Sequence, residues 1–179
     1  MQVLLEGASD VAAVETAAEV AGVALDGVDL VSMGGVTNIG RHLRAADSEG
    51  IDLRGMCDAA ESPFVVRALR AIGYRVDDPD HLPSAGFWVC DRDLEDELVR
   101  ALGTARILQV LEAQLMLRSF QSLLVQPAWR DRPFADQVHR FVGAGSGRKV
   151  RLARAFTACL SPDELPAPLA GLLLSLPRA

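Results

Sequence analysis

Within the first hundred residues, short apolar runs alternate with stretches of helical periodicity, and each run is closed by a glycine or a carboxylate. A chain patterned in this way folds as an α/β unit with a largely parallel sheet, because parallel strands need helical crossovers between them. The runs predict strands over 3–5, 28–32, 53–57 and 87–89. Between them, Ser9 is expected to cap a helix bearing the stripe Val11, Val14, Ala18 and Ala21, with Asp10 favourably placed near its positive end and Gly22 closing it. Ser62 and Pro63 open a second helix that Gly73 stops, and a third runs from Asp93 to Gly103.

Beyond Gly103 the pattern is helical without clear strands, punctuated by Pro127, Pro133 and the glycine-rich run from Gly143 to Gly147. The expected organisation is therefore a four-stranded, mostly parallel α/β core over 1–103 and a helical extension over 104–179, whose tail, 162–179, docks as a short helix. Nothing at the N-terminus has the basic region and cleavage site of a signal peptide, and the Leu-rich turn at 169–176 is too short to span a bilayer. With Cys57, Cys90 and Cys159 in no CxxC pair, neither a disulfide framework nor a zinc site is indicated, and a soluble, cytoplasmic protein with reduced thiols is expected, without membrane contact.

Where function sits follows from the same pattern. In open parallel sheets the loops at the carboxyl ends of the strands form the functional edge, and Glu6, Gly34, Asp58 and Asp91 all fall there. Glu6 and Asp10 straddle a strand end and the first turn of a helix, Asp58 ends the third strand, and Glu95 follows the fourth. Acids delivered to one edge from separate loops suit a hard divalent cation, magnesium or manganese, one ion or two, which takes oxygen ligands and keeps waters for a substrate phosphate. The chemistry such a site supports is that of a nuclease or of nucleotidyl transfer. Charge is unevenly shared: residues 1–99 carry 7 basic and 19 acidic side chains, residues 100–179 carry 11 and 5. An acidic half that holds cations and a basic half that approaches phosphates fit a nucleic-acid substrate despite the net charge of −6.

The segments Leu4-Leu5-Glu6-Gly7-Ala8-Ser9-Asp10, Met33-Gly34-Gly35-Val36-Thr37-Asn38, Met56-Cys57-Asp58 and Asp93-Leu94-Glu95-Asp96-Glu97-Leu98 resemble the Toprim domain of the OLD (overcoming lysogenization defect) family of nucleases. The resemblance extends over most of the chain. It implies a Toprim sheet, magnesium dependence and cleavage or nicking of DNA. It makes Glu6 the family's strand-end glutamate, Asp10 the acid four residues on, Asp58 the first acid of an Asp-x-Asp motif, Glu95 the glutamate of a later motif and Glu97 that motif's second acid. The second acid of Asp-x-Asp would fall on Ala60, so Glu61 or Asp96 is expected to compensate, or one metal is held weakly.

Lys149 is the only lysine among 18 basic residues, and a compact ammonium can meet a phosphate oxygen or a developing oxyanion; the resemblance likewise places a catalytic lysine here. Arg148, Arg151 and Arg154, spaced by three, line one side of the following helix and are expected to hold a nucleic-acid backbone. The loop before Lys149 is no nucleotide-binding P-loop, since Arg148 stands where its last glycine belongs and Val150 where its magnesium-binding hydroxyl belongs. Full-length members of the resembled family carry an ATPase ahead of the Toprim part. This chain starts at the Toprim strand, and is expected to act without ATP or with an ATPase supplied by another chain; a homodimer is compatible with either. His42, His81 and His139 are scattered with no nucleophile to serve, Trp88 reads as core, and Trp129, flanked by Pro127 and arginines, suits either base stacking or packing. A catalytically weak module that regulates a separate ATPase is the alternative function, and primase-like or RNA-processing work a more distant one.

Overall fold

The computed structural model describes residues 1–145 and 147–177. Ser146, inside the glycine-rich run, and Arg178 and Ala179, at the end of the expected docking tail, lie outside the described residues. Four strands, β1 (Gln2–Leu5), β2 (Asp29–Ser32), β3 (Leu53–Asp58) and β4 (Phe87–Cys90), form one all-parallel sheet in the order β2-β1-β3-β4. All four lie where apolar runs predict them, within a residue or so at each end.

Helix α1 (Ala8–Ala21) joins β1 to β2, α2 (Ile39–Glu49) joins β2 to β3, and α3 (Ser62–Ala71) with a 3-10 segment (Pro79–Ala85) leads to β4. After β4 come α4 (Leu94–Ala113), α5 (Leu117–Leu124), α6 (Phe134–Gly143), α7 (Arg148–Thr157) and α8 (Ala167–Leu174). The two central strands, β1 and β3, are buried on both faces. Val3, Leu5, Met56 and Cys90 turn to a core shared with α1, α4, α6, α7 and α8, whereas Leu4, Leu53, Cys57 and Phe87 turn to one shared with α2 and α3. The alternation of side chains along each strand divides these two sets, and burial on both faces explains why the central strands read as apolar runs.

Helix α1 begins at Ala8 with Gly7 as its cap, so Ser9 does not cap it. The carboxylate of Asp10, three residues into the turn, reaches back to accept the Gly7 N–H at 2.8 Å and satisfies one of the free donors at the helix start, while Ser9 is buried. Asp93 does cap α4, accepting the Asp96 N–H at 2.8 Å. The first helical stretch of α4 stops at Gly103, as expected. Gly103 takes φ 70°, ψ 167°, outside helical space, and the chain bends there and continues helically to Ala113. Only glycine enters this conformation cheaply, so the residue that stops the first stretch also sets the bend into the second.

One core runs through both the sheet half and the helical half. Leu98 and Leu102 share it with Ile107, Phe120, Val138, Phe156 and Leu169. Helix α8 lies so close to β4 that a Cβ on Gly171 would collide with the indole nitrogen of Trp88. Cys57 and Cys90 are buried, and burial together with nearby carboxylates pushes the Cys57 thiol up to about 12 and the Cys90 thiol higher still, as suits packing groups. Among the described residues no helix is long and apolar enough to cross a membrane.

Candidate metal centre at the carboxyl edge of the sheet

From β1 the chain passes first to β2 on one side and later to β3 on the other, so the order of connection reverses between β1 and β3. A crevice opens outside the strand ends at such a point, because the flanking loops run apart. Glu6 follows β1 directly and Asp58 is the last residue of β3. The backbone holds them there: Gly35 N–H donates to the Glu6 carbonyl at 3.1 Å, and Ala59 N–H to the Cys90 carbonyl at 2.9 Å.

The side chains converge as the position of the loops demands. One carboxylate oxygen from each of Glu6, Asp58 and Glu61 lies within 4.8 Å of the other two, close enough to share one ion. Glu61 caps the start of α3 and turns back toward β1, so it supplies the acid that Ala60 lacks. Its Oε2 is buried and has no hydrogen-bond partner among the described residues. An orphaned buried oxygen facing two further acids is an arrangement that a bound cation would satisfy. The donor set is all oxygen, which fits magnesium or manganese and not a thiophilic metal.

The electrostatics say the same. Burial, followed by the charges of Glu6, Asp10, Asp93 and Glu61, pushes the Asp58 carboxyl up to about 8. Burial and the close approach of Glu6 push Glu61 up to about 7, with Lys149 opposing. Burial, helped by the Glu95 and Glu6 charges and opposed by the Gly7 N–H and Lys149, raises Asp10 to about 6. These groups hold protons well into the neutral range because burial and mutual repulsion outweigh the one ammonium beside them.

A second group of charges adjoins the first. Lys149 Nζ, at the start of α7, stands 3.2 Å from Glu95 Oε1, a buried oxygen that receives no well-directed hydrogen bond. Burial lifts Glu95 despite the lysine. For Lys149, burial works downward, but Glu95, Asp10 and Glu6 together outweigh it and hold the ammonium above its ordinary value. Lysine and cluster therefore share one field. The helical half brings its single ammonium to the acids of the sheet half because α7 packs against α1 and α4.

The remaining residues singled out in the sequence lie apart from this set. Glu97 accepts the Asp91 N–H at 2.9 Å and pairs with Arg100 at 2.8 Å, and Asp96 lies 3.5 Å from the same arginine. Arg148 donates to the Phe141 carbonyl at 2.7 Å and stacks 4.1 Å over its ring. Arg151 donates to the Gln114 side chain at 2.7 Å and its carbonyl at 2.9 Å, and Arg154 pairs with Glu15 at 2.6 Å. Each guanidinium of the expected nucleic-acid-binding stripe is thus engaged within the protein. One contact has no warning in the sequence: His139 Nε2 meets Asp93 Oδ2 at 2.6 Å, linking α6 to the cap of α4 across 46 residues of chain.

No protein-family model and no curated protein matches the chain. Solved structures do. The C-terminal region of the Burkholderia pseudomallei OLD protein superposes with a TM-score of 0.73 at 20% identity, over 97% of this chain and 94% of that one. The C-terminal region of the Xanthomonas campestris pv. campestris OLD protein superposes with TM-scores of 0.68 in a platinum-phased structure and 0.69 in an iodine-phased one, at 25% identity, over 97% of this chain and 89% and 91% of those. The structural neighbours of this chain are the C-terminal, Toprim regions of OLD proteins, and the likeness covers nearly its whole length.

Proposed function

We propose that this chain is a divalent-metal-dependent nuclease module that cleaves or nicks DNA. The observation that carries the reading is the meeting of Glu6, Asp58 and Glu61, acids from separate parts of the chain, around an orphaned buried oxygen, with an ammonium beside them. One or two magnesium or manganese ions, when bound, would supply Lewis acidity and an activated water.

The protein's own groups divide the work. Glu6, Asp58 and Glu61 offer the oxygens that hold the ion. Asp10 holds the Gly7 N–H and so fixes the backbone that carries Glu6, while its second oxygen remains free to face an ion or its water. Glu95 steers Lys149, whose ammonium stabilises charge on a scissile phosphate. Arg148, Arg151 and Arg154 would have to leave their present partners to reach a DNA strand.

A plasmid-nicking assay with magnesium or manganese, run on the natural protein and on Glu6→Ala and Lys149→Ala, tests the proposal. Metal-dependent nicking that Glu6→Ala abolishes and Lys149→Ala slows about a hundredfold or more is expected; nicking indifferent to Glu6→Ala would overturn it. A second reading, a weak module regulating a separate ATPase, draws on the ion pair that occupies Lys149. Calorimetric titration with manganese separates the two, since a relic of the site would give no carboxylate-dependent binding.

A further inference from the structure

Beside the carboxylate edge is a second polar cavity, of about 300 Å³, lined by Arg92, Trp129, Arg132, Asp136, His139 and Arg140. The loop after β4 supplies Arg92, the segment ahead of α6 supplies Trp129 and Arg132, and α6 supplies the rest. The wall is built rather than loose: the Gln137 side chain is buried and donates to the Trp129 carbonyl at 2.8 Å, fixing the indole's backbone against α6. Asp136 neutralises Arg92 at 2.8 Å. Arg132 and Arg140 make no ion pair among the described residues, and the Arg140 guanidinium lies 5.7 Å from the Trp129 ring centroid.

His139 joins this cavity to the candidate metal centre. Its partner Asp93 stands two residues before Glu95, and the Asp93 charge acts on both Asp58 and Glu95. The cavity therefore adjoins the acids through the contact between His139 and Asp93.

We infer that this cavity seats one unpaired nucleotide of the strand presented to the carboxylate centre, with Arg132 and Arg140 on its phosphate oxygens and the Trp129 ring against its base. The chemistry selects this ligand. A bare phosphate has no use for an indole, and an apolar partner has no use for two unpaired guanidinium groups. A nucleotide uses both, since base stacking on an aromatic face and charge-assisted contacts to phosphate are the two elements of single-strand binding. The inference rests on the nuclease reading only for its account of why a nucleic-acid strand comes to this edge.

The test is fluorescence anisotropy of a labelled single-stranded DNA oligonucleotide titrated with the full chain in EDTA, where no cleavage competes. The Arg132→Ala/Arg140→Ala variant is expected to weaken binding about tenfold and to flatten the salt dependence by the share of two lost phosphate contacts. Trp129→Ala should weaken it several-fold and Trp129→Phe should restore most of the loss. Arg132→Glu, at an exposed position, repeats the test without touching the indole. A blunt duplex of the same sequence should bind without sensitivity to Trp129→Ala. Single-strand affinity within twofold of the natural protein in the double-arginine variant, with an unchanged salt slope, would overturn the inference, as would equal sensitivity of the duplex to Trp129→Ala. Failure of the nuclease reading looks different: no manganese binding and no nicking, yet oligonucleotide affinity that still depends on the two arginines.

Discussion

The carboxylate edge and the arginine face of α7 both gather like charges, yet they are built on opposite terms. Along α7 each arginine has found a partner within the fold, in Phe141, Gln114 or Glu15. At the edge, Glu6, Asp58 and Glu61 face one another, the buried Oε2 of Glu61 has no partner among the described residues, and Asp10, Asp58 and Glu61 hold their protons above the ordinary carboxylate range. A cluster whose charges are answered internally stabilises a fold. A cluster whose charges are left unanswered costs stability, and persists where a ligand from outside completes it.

The contrast can be broken most sharply at its centre. Asp58→Asn should abolish metal-dependent nicking and carboxylate-dependent manganese binding, and at the same time raise the melting temperature of the metal-free protein, because it removes one member of a repelling group. Thermal melting in EDTA beside calorimetry checks this; an equal or lower melting temperature would mean that the acids are not in conflict. Next in size, Lys149→Ala should lower the nicking rate about a hundredfold or more while leaving manganese affinity within a few-fold. Lys149→Arg should not rescue it, since a planar guanidinium cannot replace a compact ammonium at one oxygen.

Proton linkage gives a third test. With Asp10, Asp58 and Glu61 at about 6, 8 and 7, the folded metal-free protein binds more protons than the unfolded chain once pH exceeds the ordinary carboxylate value. Stability is therefore greatest in mild acid and falls as pH rises through those values. Melting temperature in EDTA should drop between about pH 5 and about pH 8, and manganese should restore most of the drop at the upper end. A pH profile unchanged by Asp58→Asn would remove that residue from the account. Smallest of all, Arg154→Ala breaks an exposed pair with Glu15 and should change stability by no more than about 1 kcal/mol, with nicking unaltered. A large loss of nicking there would mean that α7 does hold the strand.

Much of this was legible in the chain. The central strands announce themselves because burial on both faces leaves apolar runs, and their carboxyl ends are marked by the acids and glycines that a functional edge requires. Asp93 as a cap and Gly22 as a helix end follow from local backbone geometry. Local signals misled where more than one residue could serve. Asp10 rather than Ser9 satisfies the free donor at the start of α1, whereas Gly103 stops the first stretch of α4 as its place in the sequence reads. Ala60 left a gap for which the sequence offered Glu61 or Asp96 without choosing between them. The turn into α3 filled it by swinging Glu61 toward Glu6 and Asp58.

The sequence by itself determined the parallel α/β order, the edge at which the acids gather and the presence of one lysine unlike its basic neighbours, because strand periodicity and residue chemistry are local properties. Only the tertiary structure decided that Lys149 meets Glu95, that the arginines of α7 are spent on the protein's own groups, and that Trp129, Arg132 and Arg140 wall a cavity next to the acids. Those facts depend on how helices remote along the chain pack on the sheet, and charge pairing across such distances is set by the packing of side chains that carry no charge at all.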